Sequence, residues 1–284
     1  TTHSKLIART KFLASKRIST SPITSVMPFF NYDGFKAAAS DIEGRLYKFS
    51  SQGNTYNQIY TNENKIKTAI ALKSKNVSLI AEPNRILTVD WDPIKLTPLP
   101  YQIDSPIRSI NRIFNDNCFF TTNEDSSVTF YDRRMRDSIN RAKFNDLSMI
   151  SSCVWPTSQT VGFGFDEGFV TLFDTRVFIP LQTFPTVQAK TISPIYDENG
   201  AFFVGGYRGS QIFNFTDRKS IVKLPFKSQI SIPYKGSTIF FSQDSTFLVK
   251  MKPYVQAYVL SDLGGVQALK RKEDEIEFVK SYKN

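Results

Sequence analysis

The sequence predicts an all-β fold made of repeated units, on three observations. Isoleucines begin similar segments about every 42 residues, namely Ile23, Ile66, Ile107, Ile150, Ile192 and Ile230. Inside each segment, short runs rich in Val, Phe and Thr alternate with polar turns, as in "SSCVW", "QTVGFGF" and "FVTLFD", and such runs favour strands. Turn signals such as "DIEG", "NED" and "DEG" recur in the same phase. The isoleucines and the turn signals are two sets of equivalent positions that recur with the same spacing. Together with the strand-forming runs between them, they indicate repeated sheets rather than helices.

Each repeat also places an aromatic residue near the end of its third predicted strand. These aromatics are Phe49, Trp91, Tyr131, Phe173 and Phe215. In three repeats an aspartate follows at once, giving Asp92, Asp132 and Asp174. We expect Phe173 to pack between neighbouring sheets, and the other aromatic and aspartate positions to serve the same structural repeat.

An arginine column follows the aromatic column. Arg134, Arg176 and Arg218 recur at equal steps, each just past a third strand. We expect each guanidinium to meet an acid or a backbone carbonyl at a comparable place between neighbouring sheets, because its planar fork supports a geometry that Lys cannot reproduce. The arginine column is therefore predicted to be structural.

A period of this length with an aromatic-Asp ending is typical of a β-propeller blade. The chain resembles the WD40 repeat family over residues 22–260, which implies six or seven four-stranded blades. The repeats are divergent, because the usual Gly-His pair is absent and His3 is the single histidine in the chain. Residues 1–21 would then form a basic segment able to close the ring as an outer strand, and residues 261–284 a charged tail that lies partly in the last blade.

Residue types that support catalysis or metal binding are not grouped in the sequence. His3 precedes the first repeat, so a histidine-based triad is not expected. Cys118 and Cys153 have no neighbouring Cys or His, so no zinc site is predicted. The glycines of "GFGFDEG" fit neither phosphate-loop motif, and Gly168 reads as a turn residue. We predict a non-enzymatic protein with no catalytic residue, metal or cofactor.

The charge of the chain favours acidic partners. Its 36 Lys and Arg against 26 Asp and Glu give a net charge of +10, which attracts nucleic acid or anionic lipid. Arg133, Arg136 and Arg141 lie outside the arginine column, and we predict that they form a basic rim that contacts a partner. Because many aromatics occupy repeat columns, nucleic-acid stacking is the less favoured alternative.

A narrower resemblance concerns four stretches: "VTLFDTRVFIPLQTFPTVQAKTI", "SVTFYDRRMRDSINRAKF", "FSQDSTFLVKMKPYVQAYVLSD" and "SKLIARTKFLASKRISTSPITSV". They are similar to the C-terminal propellers of the regulatory protein-kinase subunits of class III phosphatidylinositol 3-kinases. The resemblance implies a cytoplasmic scaffold that joins a lipid kinase catalytic subunit to coiled-coil subunits in vesicle trafficking and autophagy, with peripheral contact to anionic endosomal membranes.

The first two repeats depart from this pattern. Both lack an arginine at the position that Arg134, Arg176 and Arg218 share. In the second repeat, Pro93 directly follows Trp91 and Asp92. Partner surfaces on those repeats cannot be transferred from the family. The alternative is an adaptor propeller of another assembly. Kinase-like and helical-repeat regions upstream of these residues would favour the lipid-kinase scaffold over the adaptor.

Overall fold

The computed structural model describes most of the chain, and every regular element in the described part is a β-strand. The described residues are 19–28, 35–50, 56–61, 64–72, 77–91, 93–113, 116–144, 147–154, 159–186, 191–194, 201–206, 209–214, 219–224, 230–234, 237–241, 246–250, 256–260, 266–272 and 275–282. The strands divide into two compact units, an N-terminal unit with three sheets and a C-terminal unit with the rest. Among the described residues there is no helix that could cross a membrane.

The N-terminal unit contains three antiparallel sheets, each with four strands in chain order. Sheet 1 consists of β1 Ile23–Pro28, β2 Phe35–Asp41, β3 Arg45–Ser50 and β4 Tyr56–Thr61. Sheet 2 consists of β5 Thr68–Ala71, β6 Val77–Ala81, β7 Ile86–Trp91 and β8 Ile94–Pro98. Sheet 3 consists of β9 Ile107–Arg112, β10 Cys118–Asn123, β11 Ser127–Asp132 and β12 Ser138–Lys143.

The C-terminal unit begins with a fourth sheet of the same kind. Sheet 4 consists of β13 Met149–Val154, β14 Thr160–Phe165, β15 Phe169–Asp174 and β16 Ile179–Pro185. The next four strands continue the pattern as β17 Thr191–Pro194, β18 Ala201–Gly206, β19 Gly209–Asn214 and β20 Lys219–Leu224. The last six are β21 Ile230–Tyr234, β22 Ser237–Phe241, β23 Thr246–Lys250, β24 Gln256–Leu260, β25 Val266–Lys272 and β26 Glu275–Tyr282.

Strands β17 to β26 form one ten-stranded sheet rather than two separate blades. Its halves join where β20 pairs in parallel with β26, at Lys223 opposite Glu275. β25 and β26 fall within residues 261–284, where a charged tail was expected, and they extend the meander of the last repeat. The ring-closing strand expected before residue 19 lies outside the described residues.

Apolar side chains fill the space between neighbouring sheets within each unit. In the N-terminal unit one buried cluster joins sheets 1 and 2 around Trp91, and another joins sheets 2 and 3 around Phe119 and Tyr131. In the C-terminal unit a third cluster joins sheet 4 to the ten-stranded sheet around Phe184 and Phe202. The inner strands are buried at nearly every position because both of their faces are covered, as in β6, where all five residues are buried.

The turns between second and third strands repeat closely. Gly44, Ser126 and Gly168 occupy the same turn position with φ of 85°, 59° and 90°, and each donates its backbone N–H to the carbonyl three residues earlier. Glycine favours this left-handed conformation because it lacks a Cβ. The turn role expected for Gly168 agrees with this geometry. The all-β class and the repeat of four-stranded antiparallel sheets are confirmed.

Candidate functional site

The third strand of sheet 3 ends in a local pair between an aspartate and an arginine. Asp132 Oδ1 accepts the backbone N–H of Arg134 at 3.0 Å and its Nε at 2.9 Å. Asp132 Oδ2 accepts Nη2 of the same guanidinium at 2.5 Å. An aspartate that binds the backbone two residues later is a common turn former, and here the arginine side chain folds back onto the same carboxylate.

Sheet 4 repeats this geometry at the end of β15. Asp174 Oδ1 accepts the backbone N–H of Arg176 at 2.8 Å and its Nε at 3.1 Å, and Oδ2 accepts Nη2 at 2.6 Å. In both turns the aspartate side chain is buried, whereas the arginine side chains of Arg134 and Arg176 are 70% and 67% exposed. The hydrogen bonds from the guanidinium lower the pKa of Asp132 and of Asp174 below the ordinary value, despite their burial.

The repeated arginines were expected to bind an acid or a backbone carbonyl. Arg134 and Arg176 each bind an acid, Asp132 and Asp174 respectively. The expected location was wrong, because the acid belongs to the same turn and not to a neighbouring sheet. A spacing of two residues lets the guanidinium curl back onto its own Asx turn. Arg218 lies outside the described residues, as does Asp92.

The aromatic column is buried in three repeats. Trp91, Tyr131 and Phe173 are among the largest fully buried side chains of the described part. The Trp91 indole donates Nε1–H to Ser78 Oγ at 2.9 Å, and Phe173 meets Phe163 edge to face at 5.9 Å between ring centroids. Trp91 belongs to the buried cluster between sheets 1 and 2, and Tyr131 to the cluster between sheets 2 and 3, whereas Phe215 lies outside the described residues.

Tyr101, which sequence reasoning did not single out, secures the turn of sheet 3. It lies in the segment between β8 and β9, and its hydroxyl donates to the backbone carbonyl of Asp132 at 2.8 Å. Its ring packs on Tyr131 at 4.6 Å and on Phe119 at 6.0 Å between centroids. No repeat column contains Tyr101, so the only sequence signal was an isolated aromatic in a proline-rich connection.

The three arginines of the expected rim have different environments. Arg141 Nη1 binds Asp104 at 2.7 Å and its Nη2 binds Asp125 at 2.8 Å. Arg133 Nη1 donates to the Asp116 carbonyl at 3.5 Å, whereas its buried Nε lacks a hydrogen-bond partner. The structure therefore does not present these residues as one uniformly exposed basic surface.

Arg136 differs from the other two arginines of the expected rim. It is exposed on the loop before β12, and no ion pair joins it to another residue of the described part. Of the predicted rim, Arg136 is the residue best placed to contact a partner.

An exposed apolar strip on the outer strand of sheet 4 was not identified from the sequence. Val177, Ile179 and Leu181 are 58%, 51% and 52% exposed. They precede and enter β16, an edge strand of sheet 4. The strip contains Pro180, which has no N–H to offer to a further strand. Its available chemistry is therefore apolar side-chain contact rather than strand addition.

The remaining site chemistry is limited. Within the ranges that the structure describes, no group of three or more His, Cys, Asp or Glu side chains is arranged to hold a metal ion. The chain matches no model of a known protein family, and no curated protein has significant similarity to it. The candidate surfaces are thus the apolar strip of sheet 4 and the exposed Arg136.

Proposed function

We propose that this chain is a non-catalytic β-propeller of the WD40 type that acts as a protein–protein interaction scaffold. The observation that carries the proposal is the apolar strip of Val177, Ile179 and Leu181. Exposed apolar residues scattered singly are normal on protein surfaces, whereas these three fall within five residues at one edge of sheet 4, and grouped exposed apolar residues mark interaction sites. Ile179 and Leu181 lie on β16, so this part of the strip is ordered before binding, which lowers the entropic cost of association.

The surroundings of the strip favour a protein partner over a polyanion. Residues 177–186 contain no charged side chain, and the nearest arginine, Arg176, is already paired with Asp174. A nucleic-acid site would need basic side chains free to meet phosphates. The strip is better suited to apolar side chains of another protein, with Arg136 as a separate contact for an acidic group.

The propeller proposal is supported by the repeated four-stranded sheets and by the buried clusters between neighbours within each unit. Six or seven blades would close the ring. On the resemblance of the four quoted stretches, we assign the scaffold to a class III phosphatidylinositol 3-kinase complex in the cytoplasm and on endosomal membranes, where vesicle trafficking and autophagy begin. The partners would be the lipid kinase catalytic subunit and its coiled-coil subunits.

A reconstitution experiment tests the proposal. The full chain is co-expressed with a lipid kinase catalytic subunit and a coiled-coil subunit of this class, and co-purification is quantified. The double variant Ile179→Lys, Leu181→Lys should reduce co-purification, because two ammonium groups would be desolvated in an apolar interface. The matched control Ile94→Lys changes an exposed apolar residue on the outer strand of sheet 2 and should leave co-purification unchanged.

Each outcome has a distinct meaning. Equal co-purification of the double variant and the unaltered chain would show that the strip is not the interface. Failure of the unaltered chain to join this complex would reject the class III assignment and favour an adaptor in another assembly. Tight binding to RNA or DNA that weakens steeply with added salt would favour the nucleic-acid alternative instead. Unchanged melting midpoints would show that the variants remain folded.

A further inference from the structure

A buried carboxylate in sheet 1 is the centre of a polar network that the proposed function does not use. Asp41 is fully buried at the end of β2. Its Oδ1 accepts the backbone N–H groups of Glu43 and Arg45, each at 3.0 Å. Its Oδ2 accepts Arg45 Nε at 2.7 Å, the Tyr47 hydroxyl at 2.9 Å and the Ser19 hydroxyl at 2.7 Å. Five donors therefore converge on one carboxylate.

These donors keep Asp41 ionised inside the protein. Burial alone would raise the pKa of Asp41, but the hydrogen bonds from Ser19, Arg45 and Tyr47 outweigh it and the pKa is lowered. A buried anion of this kind tolerates poorly the loss of a donor or the approach of a second negative charge. The network is consequently sensitive to any chemical change at its members.

Ser19 is the member of this network that the chain can most readily release. It lies ahead of β1 and is partly exposed, whereas Asp41 and Tyr47 are buried in sheet 1. Its hydroxyl oxygen also accepts the N–H of Ser21 at 2.9 Å and Arg45 Nη2 at 3.2 Å. One hydroxyl thus ties the segment that enters the first sheet to the turn between β2 and β3.

The sequence in front of Ser19 carries the charge pattern of a kinase substrate. Lys16 and Arg17 stand three and two positions before it in "KRIS". Kinases select substrates by matching charge patterns, and a cleft lined with acidic residues would bind this pair. We propose that Ser19 is the acceptor site of a basophilic protein kinase that uses a nucleoside triphosphate, and that its phosphorylation releases this segment from Asp41.

The transfer balances as an ordinary phosphoryl transfer. Ser19 Oγ bonds to the γ-phosphorus, the bond from that phosphorus to the bridging oxygen breaks, the nucleoside diphosphate leaves, and the hydroxyl proton passes to the kinase's base. The product has lost the proton that Ser19 donates to Asp41. It also carries a charge of about −1.5 to −2 beside a buried carboxylate. Repulsion and the lost hydrogen bond both favour release of the segment.

Ser21 provides a matched comparison two residues away. Its hydroxyl donates to Glu43 and accepts Arg45 Nη2 at 2.9 Å, and Glu43 has a side chain that is 56% exposed. A phosphate on Ser21 would lose the bond to Glu43 and meet its carboxylate, but that carboxylate is exposed, so water screens the repulsion, and the Ser19 bond to Asp41 would stay in place. The two serines therefore compare a phosphate beside a buried carboxylate with a phosphate beside an exposed one.

The test uses the full chain, Mg²⁺-ATP and the catalytic domain of a basophilic kinase. We expect incorporation of phosphate at Ser19, mapped by mass spectrometry. Ser19→Ala should abolish it, Ser21→Ala should retain it, and the double variant Lys16→Ala, Arg17→Ala should slow it several-fold. Ser19→Thr keeps an acceptor hydroxyl and should still be modified, so that loss in Ser19→Ala cannot be attributed to misfolding alone.

The release is measured by amide hydrogen exchange. In the phosphorylated chain, the amides of Glu43 and Arg45, which bind Asp41 Oδ1, should lose protection, whereas amides in sheet 3 should keep theirs. Phosphate mapped to Thr20 or Ser21, or none at all, would overturn the site assignment. Phosphate on Ser19 with unchanged protection would overturn the release. Both readouts are independent of the co-purification that tests the scaffold proposal.

Discussion

Arg134 and Asp132 form a two-point pair inside a single turn, with Nε 2.9 Å from Oδ1 and Nη2 2.5 Å from Oδ2. Arg176 and Asp174 reproduce the pair in the next repeat, although the residues that follow are different. Because the same geometry occurs with different neighbours, the Asp-x-Arg sequence itself specifies it. The pair closes the third strand of each sheet and holds a buried carboxylate ionised.

Reversal of the charge in this pair should destabilise the protein. Arg176→Glu would place a second carboxylate beside Asp174, whose side chain is only 7% exposed, and like charges at such short range repel. We expect a lower melting midpoint, measured by circular dichroism. Arg136→Glu is the matched control, because Arg136 is exposed and makes no ion pair in the described residues. Equal destabilisation by both variants would contradict a structural role specific to the pair.

The same pairs predict how stability responds to acid. The pKa of Asp132 and of Asp174 is lowered by the paired guanidinium from an ordinary value of 3.8. A lowered pKa gives stability that is complete above about pH 4 and is lost as the pH falls through the folded value. Thermal midpoints should therefore drop steeply at acidic pH.

The variant Asp174→Asn tests the acid prediction directly. It cannot ionise, so its melting midpoint should be lower at neutral pH, and its further decrease between neutral pH and about pH 2 should be smaller than that of the unaltered chain. Glu167→Gln is a suitable control, because Glu167 is exposed in the turn of sheet 4. Parallel acid curves for the unaltered chain and Asp174→Asn would show that Asp174 does not contribute.

The strands and their order could be predicted from the sequence because each sheet carries its own local signals. Turn residues such as Gly168 and the start positions such as Ile107 mark elements that pair with their chain neighbours. Arg176 was predicted to meet an acid or a carbonyl between neighbouring sheets, but it meets Asp174 of its own turn. The spacing of equivalent positions says which residues correspond and not which way a side chain folds.

The ten-stranded sheet and the hydrogen-bond network of Asp41 could not be predicted from the sequence, because both depend on contacts between residues that are distant in the chain. The parallel contact of β20 with β26 joins residues about 50 positions apart, which no local pattern records. The bond from Ser19 to Asp41 likewise depends on how the chain enters sheet 1. Interactions of this kind follow from the packing of the whole unit.

Phe173 should contribute to stability as a core residue. It is buried at the end of β15 and meets Phe163 edge to face. Phe173→Ala should cost about 3–5 kcal/mol of unfolding free energy, the usual range for a buried phenylalanine, measured by urea denaturation. Phe169→Ala, on the same strand but exposed, should cost much less. A small change for Phe173→Ala would argue against core packing.

Tyr101 gives a prediction in which a single hydrogen bond is isolated from ring packing. Its hydroxyl donates to the Asp132 carbonyl while its ring packs on Tyr131 and Phe119. Tyr101→Phe keeps the ring and removes one of two donors to the Asp132 carbonyl, which still accepts the Met135 N–H at 2.8 Å, so the loss should cost about 0.5–1.5 kcal/mol. Tyr101→Ala should cost more because the ring contacts are lost as well. Equal unfolding free energies for Tyr101→Phe and the unaltered chain would show that the hydroxyl does not stabilise the turn.

An alkaline titration checks the same hydroxyl independently. Burial raises the pKa of Tyr101 most, and the negative charge of Asp132 raises it further, from 10.0 to about 12. Because the folded pKa is raised, the neutral phenol stabilises the fold fully below pH 10.0, and this stability is lost as the pH rises to about 12. Burial also raises the pKa of Tyr47 and of Tyr131, so the late transition in phenolate absorbance should lose one tyrosine's share in Tyr101→Phe rather than disappear. If the late transition keeps its full amplitude in the variant, the other buried tyrosines account for all of it, and the contact between the Tyr101 hydroxyl and the Asp132 turn is not what holds the proton.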